Sequence, residues 1–490
     1  MPGRTMKSAG VLGILVLLVT ACSPYFAGGS VVTFTALGPL VTVSWPAAVE
    51  DDDGQEVASY TIEVNGTPIA TPVAAPATSC VLIGLAASTT YTISVTARDT
   101  ADEWSGSIGG EVADLGRISG AYTTPAGAGG GATLGCVPTT DTDGDRLPNA
   151  VETNTGTYLS AGSTGSNPNV VDTDADGIRD GDEVLGTTAG LNLPAMGTKP
   201  TKRNILLEFD WFNDNAEPGV CASHSHQPTA TAISKVVASF ASSPVTNPDG
   251  TTGVAVISDY GQGGAFTGGN LIADADGVIA GGVSDADFAA AKAANFAANR
   301  NGYFHYVLNP HRYGTSSNSS GQAEINGDDL IVSLYCYGSD QNVANTIVHE
   351  LGHNLGLRHG GNVDTNFKPN YNSVMNYQYQ FPGVDTNCTV AGDGVLNYSV
   401  GTRATLNEAA LIETNGICGG VDVDWNGNAV IDAGAVVVDI NQDASSTGVH
   451  SDHNDWAAIN YGGITDGDGA SARTTPEIIT EQPVPLDARD

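Results

Sequence analysis

Positive charge is scarce in this chain. Its 490 residues include 18 Lys and Arg against 54 Asp and Glu, which gives a formal net charge of −36. A surface of this sign repels the phosphates of nucleic acids and the headgroups of anionic lipids. We therefore expect no nucleic-acid partner and no electrostatic attachment to a membrane. The excess of carboxylates suits a hard cation such as calcium.

Long apolar runs are also missing from most of the chain. A membrane-spanning helix needs about 20 consecutive apolar residues, and the run from Val11 to Val19 is too short to span as a mature helix. Arg4 and Lys7 precede this run. Residues 1–21 therefore have the pattern of a cleaved export signal.

The residues around Cys22 bear on how the exported chain is attached. The sequence Val19-Thr20-Ala21-Cys22 resembles the bacterial lipobox, whose cysteine is lipidated after cleavage. The resemblance implies a lipid anchor on Cys22 and a tether over residues 22–29. Because Ser23 is not a retention signal of the Asp type, it also implies display on the outer membrane or cell surface. A plain secretory signal, with release to the medium, is the alternative.

Cysteine pairs at CxxC spacing are absent, which argues against a thiolate zinc site. Of the seven cysteines, six are left apart from Cys22, and an even number in an oxidising compartment predicts disulfides. Six cysteines allow many connectivities. Among them we favour the three bonds Cys80–Cys136, Cys221–Cys336 and Cys388–Cys418.

The strongest chemical pattern is the sequence HELGHNLGLRH, which begins at His349. On a helix, His349 and His353 leave the same face one turn apart, which suits zinc bound through imidazole nitrogens. Glu350 stands beside the first ligand, where it is expected to take a proton from a water on the metal. These three residues are the predicted core of a catalytic zinc site.

Two further residues of this stretch strengthen that prediction. Gly356 adopts positive φ without steric cost, so the chain can leave the helix there and bring back His359 as a third nitrogen ligand. Three protein ligands leave a fourth position open for water, which is typical of catalytic zinc. A chance HExxH in a buried helix is the alternative, and the added glycine and histidine argue against it.

A methionine follows the motif at the sequence Ser373-Val374-Met375-Asn376-Tyr377. The long histidine motif with a downstream methionine resembles the metzincin metalloproteases, in which a Met-turn underlies the three histidines. The resemblance implies a zinc endopeptidase that acts on proteins or peptides, with Met375 packed beneath the histidines. The Ser-x-Met-x-Tyr pattern resembles the astacin and serralysin branches, which implies that Tyr377 ligates zinc or stabilises the tetrahedral intermediate. Gly360 matches neither branch, so the subfamily stays open.

The segment around this motif, residues 200–465, is predicted to be one α+β domain. We expect a zinc helix capped by Asp340 or Asn342 and, before it, an alanine-rich helix from Ser284 to Asn299. Strands before a central active-site helix match the upper subdomain of metzincins. Further strands are expected at residues 204–211, 254–258, 303–308 and 329–334, and a further helix at residues 231–242.

Residues 30–124 have the alternating apolar and polar pattern of a β-sandwich. Trp45 and the spacing of Leu85 and Tyr91 resemble the fibronectin type III domain. The resemblance implies that Tyr91 is a corner tyrosine bonded to upstream backbone. Such a domain is usually a spacer or a binder, so we assign it no chemistry. Residues 125–139, rich in Gly, Ala, Pro and Thr, are expected to form a flexible linker.

Two acidic loops occupy residues 140–190 and have the oxygen spacing of EF-hand calcium loops. Without obvious flanking helices, the pair more closely resembles thrombospondin type 3 repeats, in which ligands cross between loops. The first loop lacks glycine at its sixth position and should bind calcium more weakly. A solvated acidic linker is the alternative to a calcium-stiffened spacer. The expected ligands, with backbone oxygens from the apolar residues, are Asp141, Asp143, Asp145, Leu147, Asn149 and Glu152 in the first loop and Asp172, Asp174, Asp176, Ile178, Asp180 and Glu183 in the second.

Other acidic and histidine positions are less specific. The stretch from Asp422 to Asp432 has oxygens at alternate positions but lacks the glutamate that closes a calcium loop, so calcium there is left open. We interpret His450 and His453 as structural. A second metal site at the remaining histidines is open but disfavoured, and these are His224, His226, His305 and His311.

The sequence thus predicts a multidomain exported monomer with an N-terminal all-β sandwich, a calcium-loop spacer, a C-terminal α+β catalytic domain and a disordered tail at residues 466–490. Catalytic zinc and two or more structural calcium ions are the expected cofactors. A calcium-dependent surface adhesion protein with an inactive metzincin domain is one alternative. A calcium-stiffened stalk is another, but it leaves the histidines unexplained.

Overall fold

The computed structural model describes residues 24–50, 56–99, 116–126, 133–213, 224–274, 277–314, 319–335, 339–461 and 477–479. The chain divides into two compact units, one of residues 1–128 and 133–139 and one of residues 129–132 and 140–490. The protein is therefore multidomain, as predicted. Cys22, Cys221 and Cys336 lie outside the described residues, as do the signal at residues 1–21 and all of the tail except residues 477–479, so those predictions stay predictions.

The first unit is built from antiparallel strands in two sheets. One sheet has the order β1-β2-β6-β9 and the other the order β4-β3-β7-β8, with β5 paired to β3. The strands are β1 (Thr33–Leu37), β2 (Leu40–Ser44), β3 (Val57–Val64), β4 (Thr67–Pro68), β5 (Val73–Ala74), β6 (Ser79–Ile83), β7 (Thr90–Asp99), β8 (Arg117–Thr123) and β9 (Gly135–Val137).

Alternating side chains from both sheets form one core in this unit. Val43 of β2 and Val95 of β7 are fully buried and belong to the same apolar cluster, which also contains Trp45. The hydroxyl of Tyr91 accepts the backbone N–H of Ala86 at 2.9 Å, which is the predicted upstream bond of the corner tyrosine. The disulfide Cys80–Cys136 joins β6 to β9 and confirms that pairing.

The second unit contains one large sheet of the order β11-β10-β14-β17-β16-β20, with β12 paired to β10. Strands β10, β11, β12, β14 and β17 are parallel, whereas β16 runs antiparallel to β17 and β20 antiparallel to β16. The strands of this unit are β10 (Asn204–Phe212), β11 (Ala255–Asp259), β12 (Leu271–Ile272), β13 (Val278–Ile279), β14 (Phe304–Asn309), β15 (Arg312–Tyr313), β16 (Gly321–Ile325), β17 (Asp329–Val332), β18 (Leu406–Asn407), β19 (Val449–His450) and β20 (Glu477–Ile478).

Helices lie on both faces of this sheet. Helix α3 packs with α5, and both contribute to an apolar cluster with one face of the sheet. Helix α4 contributes to a second cluster, on the other face, through Phe288. The helices are α1 (Asp180–Leu185), α2 (Leu193–Met196), α3 (Ala230–Ala241), α4 (Ala286–Asn295), α5 (Asp340–Asn354), α6 (Tyr377–Gln380) and α7 (Asp455–Ala458), with short 3₁₀ turns at Ala298–Arg300 and Glu408–Ala410.

The acidic segment at residues 140–190 belongs to this second unit. Ile178 and Leu191 pack in the same cluster as Leu206 of β10, and Asp176 accepts the backbone N–H of Asn204 at 2.6 Å. The segment therefore packs into the body of the unit, whereas its sequence predicts a separate spacer. Its apolar side chains are too few and too irregularly spaced to predict this docking from sequence.

Two helix boundaries differ from the sequence expectation. Ser339 caps α5 by accepting the N–H of Asn342 at 3.1 Å, so neither Asp340 nor Asn342 is the cap. Asp285 caps α4, which therefore starts one residue later than a Ser284 cap implies. That helix ends at Asn295 because Phe296 turns into an extended conformation and packs its ring against Tyr306.

After α5 the chain forms mostly loops with short elements. The disulfide Cys388–Cys418 links two of these loops, as predicted, and gives them a covalent connection that their small apolar cluster around Ile417 supplements. Among the described residues, no helix is both long enough and apolar enough to cross a bilayer.

Candidate metal centre

Helix α5 carries the first two histidines of the motif on its buried face. His349 and His353 are both fully buried, and their Nε2 atoms lie 3.2 Å apart. Their ring centroids are 4.8 Å apart and the ring planes are nearly perpendicular. The offset of four residues therefore brings both nitrogens to one point, as the helical spacing predicts.

Gly356 lets the chain reverse directly after the helix. Its φ is +94°, and a Cβ at this position would lie 2.6 Å from Oδ1 of Asn326, so both the backbone conformation and the space require glycine. The reversal brings the ring of His359 to 4.9 Å from that of His353 and 5.4 Å from that of His349. One nitrogen of each of the three imidazoles lies within 4.8 Å of the others.

Backbone carbonyls orient two of these rings. Nδ1 of His349 lies 2.8 Å from the oxygen of Val374, and Nδ1 of His353 lies 2.8 Å from the oxygen of Leu357. When Nδ1–H donates to these oxygens, Nε2 keeps its lone pair for a metal. Sequence reasoning missed both acceptors because any residue type supplies a carbonyl.

Met375 packs directly beneath the helix that carries the histidines. The side chain is fully buried, and a Cβ on Gly352 would lie 2.2 Å from its Sδ. Nearby, the hydroxyl of Tyr398 donates to the backbone oxygen of Val348. Met375 and Tyr398 therefore support the buried face of the helix that carries the histidines.

Glu350 and Tyr377 are both at this site. Glu350 is fully buried and points toward the edge strand β16, where a Cβ on Gly321 would lie 2.4 Å from its Oε1. Gly321 therefore makes room for the carboxylate, a role that no motif signals. The ring of Tyr377 lies 4.5 Å from that of His359 and 5.7 Å from that of His349, measured between centroids.

The donor set fits zinc. Tetrahedral zinc with Zn–N bonds of about 2.0–2.1 Å needs its ligand nitrogens about 3.3 Å apart. The Nε2 atoms of His349 and His353 already lie 3.2 Å apart. Three imidazoles without a thiolate or a fourth histidine are also the ligand set of catalytic zinc.

A cleft of about 740 Å³ opens beside the third histidine. Strand β20 forms one of its sides and pairs antiparallel with the outer edge of β16, with Ile478 opposite Glu324. An ion pair between Arg358 and Glu477 adds to this contact. An extended segment of the chain thus lies along the strand that borders Glu350.

The two acidic loops bring their carboxylates together in groups of three. Asp145, Glu152 and Asp180 meet across the two loops, with one oxygen of each within 4.8 Å of the others. The close approach is tight, because a Cβ on Gly181 would lie 1.8 Å from the backbone oxygen of Asp145. Two further groups each come from one loop and consist of Asp141, Asp143 and Asp145 and of Asp172, Asp174 and Asp176.

Several oxygen atoms of these carboxylates are buried without a hydrogen-bond donor among the described residues. Both oxygens of Asp174 and one oxygen each of Asp145, Glu152 and Glu183 are in this state. An isolated buried carboxylate costs several kcal/mol, by order of magnitude, unless it is neutralised or bound to a cation. The negative charge of the cluster must therefore be neutralised by bound protons or by metal ions.

The pKa values of the cluster report the same imbalance. Burial, followed by repulsion from neighbouring acids, raises the pKa of Asp145 to about 7 and that of Glu152 to about 8. Burial raises the pKa of Asp180 to about 8, and burial with the charge of Asp176 raises that of Glu183 well above its ordinary value. A cation bound among these groups would lower all four values.

The remaining predicted loop residues hold the loops in shape. Leu147 and Ile178 are buried, and their backbone N–H groups donate to Asp145 and Asp176. The side chain of Asn149 bonds to Thr142. Arg146 stands where the first loop lacks glycine, and it adopts a φ of +84°, close to the +92° of Gly177. The missing glycine therefore leaves the loop backbone unchanged.

The third acidic stretch repeats this backbone. Gly427 and Ala429 have positive φ at the fourth and sixth positions counted from Asp424, as in the second loop. In place of a closing residue in the loop, buried Glu413 accepts the N–H groups of Trp425 and Asp432. The loop itself is largely exposed, so calcium at this stretch stays open.

Three other histidines, which lie outside the HELGHNLGLRH motif, make local contacts. Nδ1 of His305 lies 3.1 Å from Oδ1 of Asn354, and Nδ1 of His453 lies 2.8 Å from Oδ1 of Asp455. His450 is buried next to Glu408. These contacts agree with the structural interpretation of His450 and His453.

No protein-family profile matches the chain, and no curated protein is similar to it. Among solved structures, the chain has a slight likeness to the Clostridium perfringens spore cortex lytic enzyme SleM, at 20% identity and a TM-score of 0.15. The match covers 21% of this chain and 28% of that chain. A likeness of this extent carries no argument about fold or activity.

Proposed function

We propose that the protein is an exported, lipid-anchored zinc endopeptidase of the metzincin type that hydrolyses peptide bonds of proteins. The observation that carries the proposal is the convergence of three buried imidazoles beside a buried glutamate on the same helix. His349, His353 and His359 are the residues that would hold the ion. In two of the three rings Nδ1 lies 2.8 Å from a backbone oxygen, and a hydrogen bond donated there favours the tautomer that leaves Nε2 for zinc.

The chain's own side chains divide the chemistry between them. Zinc, when bound, supplies a Lewis acid that polarises the scissile carbonyl and makes water acidic enough to react near neutral pH. Glu350 takes the proton of the attacking water and delivers it to the departing amine nitrogen. Tyr377 hydrogen-bonds the oxyanion that develops on the former carbonyl oxygen.

Strand β16, whose outer edge is partly covered by β20, is proposed to align the substrate. An extended peptide gains main-chain hydrogen bonds when it adds to the free edge of a sheet. Residues Glu477 and Ile478 of the chain itself lie on this edge, which supports the idea that β16 accepts an extended segment. A substrate strand in the same place would run past Glu350 and the three histidines.

The accessory parts follow from the same proposal. The first unit, with two antiparallel sheets and a corner tyrosine, supports a fibronectin type III-like spacer or binding module without chemistry of its own. The buried carboxylates of residues 141–183 support two or more structural calcium ions. Because this segment packs against β10, calcium would stiffen the unit that contains the proposed active site.

The decisive experiment measures cleavage of casein by the purified full chain with and without a zinc chelator. We expect chelation to abolish cleavage and added zinc to restore it. Glu350→Gln should bind as much zinc as the wild type and lose about 10²- to 10⁴-fold in rate, the usual range for a general acid–base residue. Cleavage at the wild-type rate by Glu350→Gln would overturn the mechanism. An inactive wild type with bound zinc would favour the adhesion alternative.

A further inference from the structure

Three histidines outside the proposed active site converge elsewhere in the second unit. His224 and His226 precede α3, and His311 lies two residues after the end of β14. The ring centroids of the first two are 4.6 Å apart, and His311 lies 5.8 Å and 5.0 Å from them. One nitrogen from each ring lies within 4.8 Å of the others, which is the same criterion that the catalytic histidines meet.

The sheet topology explains why residues so distant in sequence meet. Strands β10 and β14 are adjacent and parallel, so their carboxyl ends lie at the same edge, where ligand sites of α/β folds usually form. The amide of Asn309, the last residue of β14, donates to the backbone oxygen of His226. The N–H of His311 donates to the oxygen of Gly277 at 2.8 Å. Both sides of the cluster are therefore anchored by backbone contacts.

The nitrogens face one another closely. Nε2 of His226 lies 2.9 Å from Nδ1 of His311, a little inside the separation of about 3.3 Å that tetrahedral zinc imposes. Nε2 of His224 lies 3.1 Å from the backbone oxygen of Tyr335. When Nε2–H donates to that oxygen, Nδ1 of His224 keeps its lone pair, the tautomer that a metal requires. The carbonyls of Val374 and Leu357 have this role for the catalytic rings.

The chemical type of the ligands indicates which cations the cluster would bind. No carboxylate belongs to this group of three, so calcium and magnesium, which take oxygen ligands, are poorly suited. Neutral imidazoles suit zinc, copper, nickel and cobalt.

We propose that His224, His226 and His311 bind a second divalent transition-metal ion of the zinc class. The ion would tie His224 and His226 to the chain after β14 and, through the carbonyl of Tyr335, to the chain after β17. Its role is structural, because it would link stretches of chain that are distant in sequence. The inference does not depend on peptidase activity.

Metal stoichiometry tests this proposal directly. The full chain is stripped with a chelator, returned to saturating zinc in excess calcium, and analysed for zinc by mass spectrometry. We expect two zinc ions per chain in the wild type, one in His349→Ala and one in His226→Gln. The double variant His349→Ala/His226→Gln should bind none. His453→Gln, which changes a partly buried histidine outside both clusters, should keep two.

A second measurement separates the two sites if a variant folds poorly. In His349→Ala, added zinc should raise the melting temperature, and replacement by cobalt should give the visible absorption of a tetrahedral histidine site. The proposal is overturned if His349→Ala binds no ion at saturating zinc, which would leave a metal-free, hydrogen-bonded histidine cluster. It is also overturned if His226→Gln retains as much zinc as the wild type. A wild type with one ion that His226→Gln removes would instead contradict the catalytic site alone.

Discussion

Gly352 and Met375 are in such close contact that a Cβ on the glycine would lie 2.2 Å from Sδ of the methionine. The glycine sits between the two zinc-motif histidines of α5, and the methionine follows Val374, whose oxygen orients His349. A larger side chain at Gly352 is therefore expected to displace Met375 and, through it, to alter the site formed by the histidines.

The first prediction concerns Gly352→Ala. The added methyl should displace Met375 and, with it, the carbonyl that orients His349. We expect a loss of about 1–3 kcal/mol in the free energy of unfolding from overpacking. Zinc affinity should fall by about 10- to 100-fold, as when an outer-shell partner is lost. Chemical denaturation and competition with a chromophoric chelator measure the two effects.

Gly434→Ala is the matched control, because nothing lies within 4 Å of the Cβ position at Gly434. That variant should keep wild-type stability and zinc affinity. Unchanged zinc affinity in a folded Gly352→Ala protein would show that the packing of Met375 against Gly352 does not position the ligands.

The second prediction concerns the hydroxyl of Tyr377. If it stabilises the oxyanion, Tyr377→Phe should lower kcat by about 10²-fold, the cost of one lost donor, with KM little changed. Zinc content should stay at the wild-type level, because three imidazoles are still present. Steady-state kinetics on a fluorogenic peptide, together with metal analysis, make this measurement.

Tyr379→Phe supplies the comparison two residues away. The hydroxyl of Tyr379 donates to the backbone oxygen of Pro369 at 2.7 Å and is buried away from the cluster. Its loss should lower stability and leave kcat nearly unchanged. An equal drop in kcat for both variants would assign Tyr377 a structural role.

Most of the residues of this site could be predicted from the sequence, whereas the residues that orient them or make room for them could not. The helical offset of His349 and His353, the turn at Gly356 and the position of Met375 all follow from local chemistry, and the structure brings these residues together. The roles of Val374 and Gly321 do not follow, since a carbonyl and an empty Cβ position leave no signature in residue type.

Contacts between residues that are distant in sequence could not be predicted either. His226 and His311 meet because β10 and β14 are neighbours in register, which no local pattern specifies. The sequence of the acidic segment predicts a calcium-stiffened spacer that is separate from the catalytic domain, because its charges dominate its composition. The few apolar residues that dock it on the sheet, such as Ile178, show no period that would reveal a buried face.

The third prediction concerns calcium and pH. In the calcium-free folded protein, the pKa values of Asp145, Glu152 and Asp180 are raised to about 7 or 8, so the folded state binds more protons than the unfolded state. Their contribution to stability is therefore present at low pH and is lost as the pH rises through those values. Calcium competes with the same protons. Its stabilising effect should consequently be larger at pH 8 than at pH 5.5.

Thermal unfolding with and without calcium at both pH values tests this sign. At calcium 100 times above Kd, each site should add about 2.7 kcal/mol. Asp174→Asn, which removes one of the buried charges, should raise stability without calcium and reduce the calcium effect. Asp249→Asn changes a half-buried carboxylate that accepts from Thr251 and lies outside the two loops, so it should leave the calcium effect intact. A calcium effect that is the same at both pH values would contradict the assignment.

The last prediction concerns the edge of β16, which β20 occupies. If substrates pair with this edge, residues Glu477 and Ile478 compete with them, and the ion pair of Glu477 with Arg358 strengthens the competitor. A chain that ends at residue 476 should therefore show a lower KM for extended peptides, with kcat nearly unchanged because Glu350 and the three histidines are untouched. A chain that ends at Ile479 removes most of the remaining tail but keeps the paired strand, so it should behave like the full chain. Equal KM values for the two truncated chains would mean that β20 does not cover the substrate-binding edge, and the substrate would then have to be aligned elsewhere in the cleft beside His359.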